Sequence, residues 1–187
     1  MEFYGLDNFK YDLFSIIEQA QTMLKVMRRT YQQTGIPYVA ASGNDAFYAN
    51  EISKTERSIS KLWDNIHASF PEFDNLTQDS KDIIWRCMDE ISSAARNIRR
   101  SADERLYYAL PNSMYEEQQR LIKDGLSTAE INATLSRMRK LLKADVAIFF
   151  AEADGELKDL TASVQKMARD VVETEADADV YPDSYDR

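Results

Sequence analysis

The chain holds one histidine, His67, and one cysteine, Cys87. These residue types most readily ligate metals, shuttle protons or attack carbonyls near neutral pH. One histidine is too few for the usual histidine-rich metal centres, and no Glu-x-x-His pair is present, which removes the dinuclear carboxylate site that helical bundles host. His67 stands one turn after Trp63, so the expected role of its ring is packing on an aromatic. Cys87 lies between Ile84 and Ile91 on an apolar stripe, where a thiol is ordinarily inert filling. Asp154-Gly155 resembles the turn of a calcium loop, but that register places Phe150 first and Thr161 twelfth, where carboxylates are required. There is no glycine-rich phosphate loop and no Gly-x-Ser-x-Gly elbow. Carboxylates are plentiful, and the sequence does not say which converge, so an acid–base pair among them stays open. The expectation is a non-enzyme with no catalytic, metal or cofactor residues.

One stretch has the form of a functional signature: DGLSTAEINATL, residues 124–135. A DNA-reading helix-turn-helix needs glycine in the turn, an apolar residue after it and a second apolar residue six positions past the glycine; Gly125, Leu126 and Ile131 comply. Asp124 does not, because an apolar residue usually precedes the glycine. The front of the following helix offers Thr128, Ala129, Glu130, Asn132 and Ala133, one negative charge and no positive one, against a polyanion. Arg137, Arg139, Lys140 and Lys143 come later. A structural helix corner, with Ser127 and Glu130 as a capping box, is the favoured reading, and nucleic-acid binding by the helix pair at 113–143 is the alternative.

Basic and aromatic residues mark a second kind of surface. Arg96, Arg99 and Arg100 share one side of a helix with Arg105 nearby, and Lys25, Arg28 and Arg29 cluster at the end of another, where they suit the negative helix terminus. Asp103 and Glu104 stand within pairing distance along the chain, which allows a salt-bridged solvent face. Tyr107 and Tyr108 are adjacent and cannot both face one core. Exposed aromatics beside arginine dominate protein interfaces, so Arg96, Arg99, Arg100, Tyr107, Tyr108, Tyr181 and Tyr185 form the expected partner surface. Ordinary packing at the bundle's rim accounts for the aromatics Tyr107 and Tyr108 equally well.

The net charge of −9 belongs mostly to one end. Residues 1–150 hold 19 Lys and Arg against 21 Asp and Glu, whereas residues 151–187 hold 4 against 11. Past Val172 the apolar stripe stops, and acidic residues surround Tyr181 and Tyr185. The expectation there is an acidic flexible tail over 175–187, with a solubilising segment the favoured reading and a short ligand for a basic groove or a segment lying on basic residues of its own body the alternatives.

The elements that must position these residues are helices. Leu13, Ile17, Ala20, Leu24, Met27 and Tyr31 step by three and four, which keeps them on one helical stripe ended by Gly35 and Pro37. Tyr48, Ile52, Thr55, Ile59, Leu62, Ile66 and Phe70 repeat the spacing up to Pro71. Thr77 caps a third helix carrying Ile84, Cys87 or Met88, Ile91, Ala95, Ile98, Ala102 and Leu106, closing at Pro111. Ser113 to Glu116 opens a short helix stopped by Gly125. Ile131, Leu135, Met138, Leu142, Val146, Phe149 and Ala153 follow, with Gly155 expected to end that helix before a last one carrying Leu157, Leu160, Val164, Met167 and Val171. Such narrow stripes with short connections predict an all-α antiparallel bundle of five to six helices, one domain over 1–174. No apolar run reaches the ~20 residues that span a bilayer, and with one cysteine the expected compartment is the reducing cytoplasm. The expected function is binding another protein as an adaptor or inhibitor by steric occlusion, a description that includes products of viruses and mobile elements. Oligomeric state is open.

Overall fold

A computed structural model describes residues 4–34, 45–106 and 111–180. Among them are six α-helices and a single 3-10 turn, with no strand. These are α1 (Tyr4–Thr34), α2 (Asp45–Asp64), the one-turn α3 (Ile66–Ser69), the 3-10 turn Phe73–Asn75, α4 (Gln78–Leu106), α5 (Pro111–Lys123) and α6 (Thr128–Val180). The chain is all-α, as the spacing predicts. No helix among the described residues is long and apolar enough to cross a membrane. Contacts gather the chain into two compact units, one of residues 1–20, 54–95 and 156–187, the other of 21–53 and 96–155.

In the first unit, segments of α1, α2, α4 and α6 enclose a core that includes Phe9, Leu13, Ile17, Phe70, Ile84, Ile91, Leu157, Val164 and Val171. Neighbouring segments run in opposite directions. Gly5 lies against Phe70 and Glu72 while Asp12 accepts from the Ser69 hydroxyl, so α1 meets the end of the α2–α3 segment head to tail. Thr77 meets Glu175, and the Ile83 to Glu90 stretch of α4 faces Ser163 to Asp170 of α6, again antiparallel. The second helix does not run unbroken to Phe70. It stops at Asp64, because Asn65 leaves helical geometry (φ −117°, ψ 28°) and its side-chain amide donates to the Lys61 carbonyl at 2.9 Å. Asparagine competes for backbone groups in this way, and α3 restarts to bury Ile66.

The second unit buries Leu24, Met27, Ile98, Ala102, Leu106, Val146, Phe149, Phe150 and Ala153. Arg28 reaches Asp154 at 2.8 Å and lies over the Phe150 ring, and Arg105 pairs with Asp145 and Glu152. Its α5 starts at Pro111 rather than at Ser113. Proline is suited to the first helical position, where its missing N–H has no partner to lose.

Two expected boundaries on α6 are corrected. The helix runs through Gly155, because the buried residues on either side, Phe149, Phe150 and Ala153 before it and Leu157 and Leu160 after it, hold one stripe across the glycine. A mid-helix glycine costs about 1 kcal/mol against alanine, less than burying one such leucine contributes at roughly 1.5–3 kcal/mol. Helix also continues over residues 175–180, where a flexible tail was expected to begin. Residues 181–187 lie outside the described residues. Glu175, the first residue of the 175–180 segment, is held by the start of α4: its carboxylate accepts from the Thr77 backbone N–H at 2.9 Å and from the Thr77 hydroxyl at 2.6 Å. Thr77 in turn accepts from the Ser80 N–H at 3.3 Å, capping α4. In a local capping box a glutamate three residues on would serve the cap residue's own N–H. Here Ser80 holds that position and Glu175 arrives from 98 residues away.

Two measurements check this account. Glu175→Ala should lower the unfolding free energy by about 1 kcal/mol in denaturant melts, as removal of a side-chain cap does. The glycines should respond in opposite senses. Gly155→Ala meets no neighbour and should stabilise by up to about 1 kcal/mol, whereas a β-carbon at Gly5 would sit 2.6 Å from the buried Phe70 ring and should cost about 1–3 kcal/mol.

Candidate functional site

The two residues with the most chemical potential lie in different environments. Cys87 is buried, and burial first, then the charge of Glu90, pushes its thiol up to about 12, so the nucleophilic thiolate is scarce at neutral pH. His67 is exposed, with Nδ1 3.6 Å from Asp74. Its ring meets Phe73 edge-on at 6.2 Å, and Trp63 meets the same ring at 5.8 Å. Histidine and tryptophan thus converge on Phe73 instead of stacking on each other, since the break at Asn65 separates them. Among the described residues no three His, Cys, Asp or Glu side chains gather as a metal site would require.

The expected arginine surface is divided. Arg96 and Arg100 are exposed, and Arg100 donates to the Asn97 side chain at 3.4 Å. Arg99 is half-buried and donates to the Ser53 hydroxyl at 3.3 Å, which ties α4 to α2. Arg105 is committed to Asp145 and Glu152 of α6. Tyr107, Tyr108, Tyr181 and Tyr185 lie outside the described residues.

The 124–135 stretch forms a corner with both ends closed. Gly125 has φ +82°, its N–H donates to Ile122, and the Leu126 N–H reaches back to the Leu121 carbonyl, the paired bonds of a Schellman cap. Ser127 and Glu130 then complete a capping box: the Glu130 carboxylate accepts from the Ser127 N–H at 2.8 Å and its hydroxyl at 2.7 Å. Leu126 folds onto Leu121, Ile131 and Leu135, with Met114 and Met138 packed against them. The apolar positions that a helix-turn-helix would use to lock its second helix are present. The helix that follows is 53 residues long, and its foremost carboxylate is engaged in the cap.

A different feature stands out. Both tryptophans of the chain line one hollow between α2 and α4, of about 190 Å³, with Trp63 39% and Trp85 52% exposed. Buried Ile59 and Met88 form its floor, and Asp64 and Asp89 join the lining. Three other hollows around the same segments mix charge signs: Arg86 and Lys166 with Glu90 and Asp170, Lys10 and Arg169 with Asp7 and Glu173, and Lys61 with Asp12. The tryptophan hollow has the two carboxylates in its lining together with Ser60 and Ser92. The sequence held a signal for it that a search for catalytic motifs passes over. Trp63 follows Leu62 and Trp85 follows Ile84, so each large aromatic stands one residue off its helix's apolar stripe and is turned by about 100° from it.

The capped corner makes a pH prediction. Hydrogen bonds from the Ser127 backbone, then from its hydroxyl, hold the exposed Glu130 carboxyl below its ordinary value of 4.5. A carboxylate whose folded pKa is depressed stabilises above its unfolded pKa, and that contribution disappears as pH falls through the folded value. The stability difference between the wild type and Glu130→Ala should therefore be full at pH 7 and shrink below about pH 4, as read by denaturant melts across that range. No family model, curated protein or solved structure matches this chain.

Proposed function

We propose that this chain is a non-enzymatic protein-binding module, an adaptor or an inhibitor, whose antiparallel helical bundle presents the α2–α4 groove to another protein and acts by occluding that partner's surface. The observation that carries this reading is the exposure of both tryptophans on one groove. Burying a large apolar side chain contributes roughly 1.5–3 kcal/mol, and the core is built from other positions on the stripes, so the parts of the two indoles left exposed are not used for the chain's own stability. Tryptophan is the residue type most enriched among binding hot spots, and a partner that covers both rings recovers that energy. The suppressed thiol of Cys87 supports a binding role over nucleophilic catalysis. A reducing compartment such as the cytoplasm fits a chain with one buried thiol.

The test places a photo-crosslinking amino acid at Ser60, which lines the groove, in the cells that produce the protein. A discrete adduct should form and should fall at least tenfold with Trp63→Ala or Trp85→Ala in the same chain, while the circular-dichroism melt stays cooperative. If no adduct forms from the groove, or the adduct survives both substitutions, the reading is wrong. If capture is lost instead with Arg99→Glu, the partner surface lies at Arg96, Arg99 and Arg100.

A further inference from the structure

We infer that the basic stretch of α6 from Arg137 to Lys143 is a docking surface for the acidic C-terminal end of α6 in a second copy of this chain. The contact lies away from the α2–α4 groove and does not depend on it. Arg137, Arg139, Lys140 and Lys143 are all exposed. Other surface cations are met on their own helix: Lys10 by Asp7, Arg120 by Glu117 and Asp124, and Lys166 by Asp170. In the basic stretch the residue three or four positions away is another cation, Lys140 for Arg137 and Lys143 for both Arg139 and Lys140. Like charges at that spacing repel across the helix surface. The flanking carboxylates are engaged elsewhere, Glu130 in the cap with Ser127 and Asp145 with Arg105. Among the described residues Arg139, Lys140 and Lys143 have no ion pair, and Arg137 reaches the Ala133 carbonyl of its own helix at 3.5 Å.

The far end of the same helix is the complement. Glu173, Asp177 and Asp179 are exposed, and Glu173 and Asp177 stand four apart, as Arg139 and Lys143 do. Each segment thus carries a repulsion that the other relieves. Apolar exposure is matched as well. Leu141 at 67% and Val180 at 66% are the most exposed large aliphatic side chains among the described residues, one within the basic stretch and the other at the acidic end. Screened surface ion pairs are individually weak, so a contact needs such side chains to cover as well.

The occupant comes from another molecule. Lys143 and Glu173 belong to one continuous helix and are separated by about 45 Å along it, so the acidic end cannot fold back onto its own basic stretch. A nucleic acid fits less well, because a polyanion brings no aliphatic group to Leu141 and approaches a chain of net charge −9. A second copy instead carries its excess negative charge at the end that docks. Since the two surfaces differ, the contact is head-to-tail.

Sedimentation velocity of the full chain should show mass rising with concentration at low salt and association at least tenfold weaker at high salt. The pair Arg139→Glu, Lys143→Glu and, separately, the pair Asp177→Lys, Asp179→Lys should each leave the chain monomeric with a cooperative melt. Mixing the two variants should restore association, because the intact acidic end of the first meets the intact basic stretch of the second. Leu141→Ser should weaken association several-fold. A monomer at every concentration in low salt, association that survives either pair of reversals, or no recovery on mixing overturns the assignment. So does a chain that stays monomeric yet retains duplex DNA at low salt and loses it with Arg139→Glu, Lys143→Glu, which gives the stretch to a nucleic acid.

Discussion

One apolar stripe on α6 constrains the rest of the molecule. Its buried positions run from Ile131 and Leu135 through Val146, Phe149 and Ala153 to Leu157, Leu160, Val164, Met167 and Val171. The part before Gly155 supplies the second unit's core and the part after it supplies the first, so each unit borrows a wall from the same helix. An isolated helix gains little from its own hydrogen bonds in water, and its persistence depends on covering such a stripe. α1 and α4 answer with stripes of the same spacing, Phe9, Leu13 and Ile17 in one unit and Leu24 and Met27 in the other for α1, then Ile84 and Ile91, Ile98 and Leu106 for α4. Polar groups are arranged around that burial. The Lys166–Asp170 and Arg120–Asp124 pairs lie on helix surfaces, where water screens them and each contributes little. Arg28 and Arg105 are less exposed and join different helices, so they act on which residues face each other more than on total stability.

The stripes were legible in the sequence because helical periodicity is a local property. Ile98, Leu135 and Phe149, picked out by spacing alone, are all buried. The corner was legible for the same reason, since Gly125, Ser127 and Glu130 act within six residues of each other. The failures are of two kinds. At Asn65 and Gly155 local preference and tertiary packing conflict. A side chain that captures its own backbone wins at Asn65, whereas at Gly155 the buried residues on both sides outweigh a weak helix former. At Thr77 the missing partner was Glu175, and no local pattern reveals a hydrogen bond across 98 residues. That bond also ties the first residue of the segment expected to be a flexible tail to the start of α4.

The site was less legible than the fold. A search by reactive type led to Cys87 and His67, and a search by charge led to Arg96, Arg99 and Arg100, but a groove made by two helices exists only after they pack. Its tryptophans are separated by 22 positions in the chain and meet because α2 turns back through Asn65 and Pro71 into α4. The turn is itself aromatic. Phe73 packs on Phe70 and Trp63, and Lys81 of α4 lies over the Phe73 ring while donating to the Asp74 carbonyl. Trp63 therefore has one side fixed by Phe73 before any ligand arrives. Less side-chain freedom remains to be lost on binding, which favours recognition by a preformed surface.

Helix geometry on α4 then explains why the thiol is silent and the indole available. Successive residues turn by about 100°, so Trp85 and Cys87 are separated by about 200° around the axis. A helix that directs Ile84, Cys87, Met88 and Ile91 into the core must direct Trp85 and Asp89 outward. The burial that raises the Cys87 thiol to about 12 is thus one consequence of a rotation whose other consequence is Trp85 at 52% exposure. No rotation of α4 would make both groups accessible without taking Ile84 and Ile91 out of the core. Between the thiol and the indole the helix can present one to solvent, and the apolar stripe selects the indole.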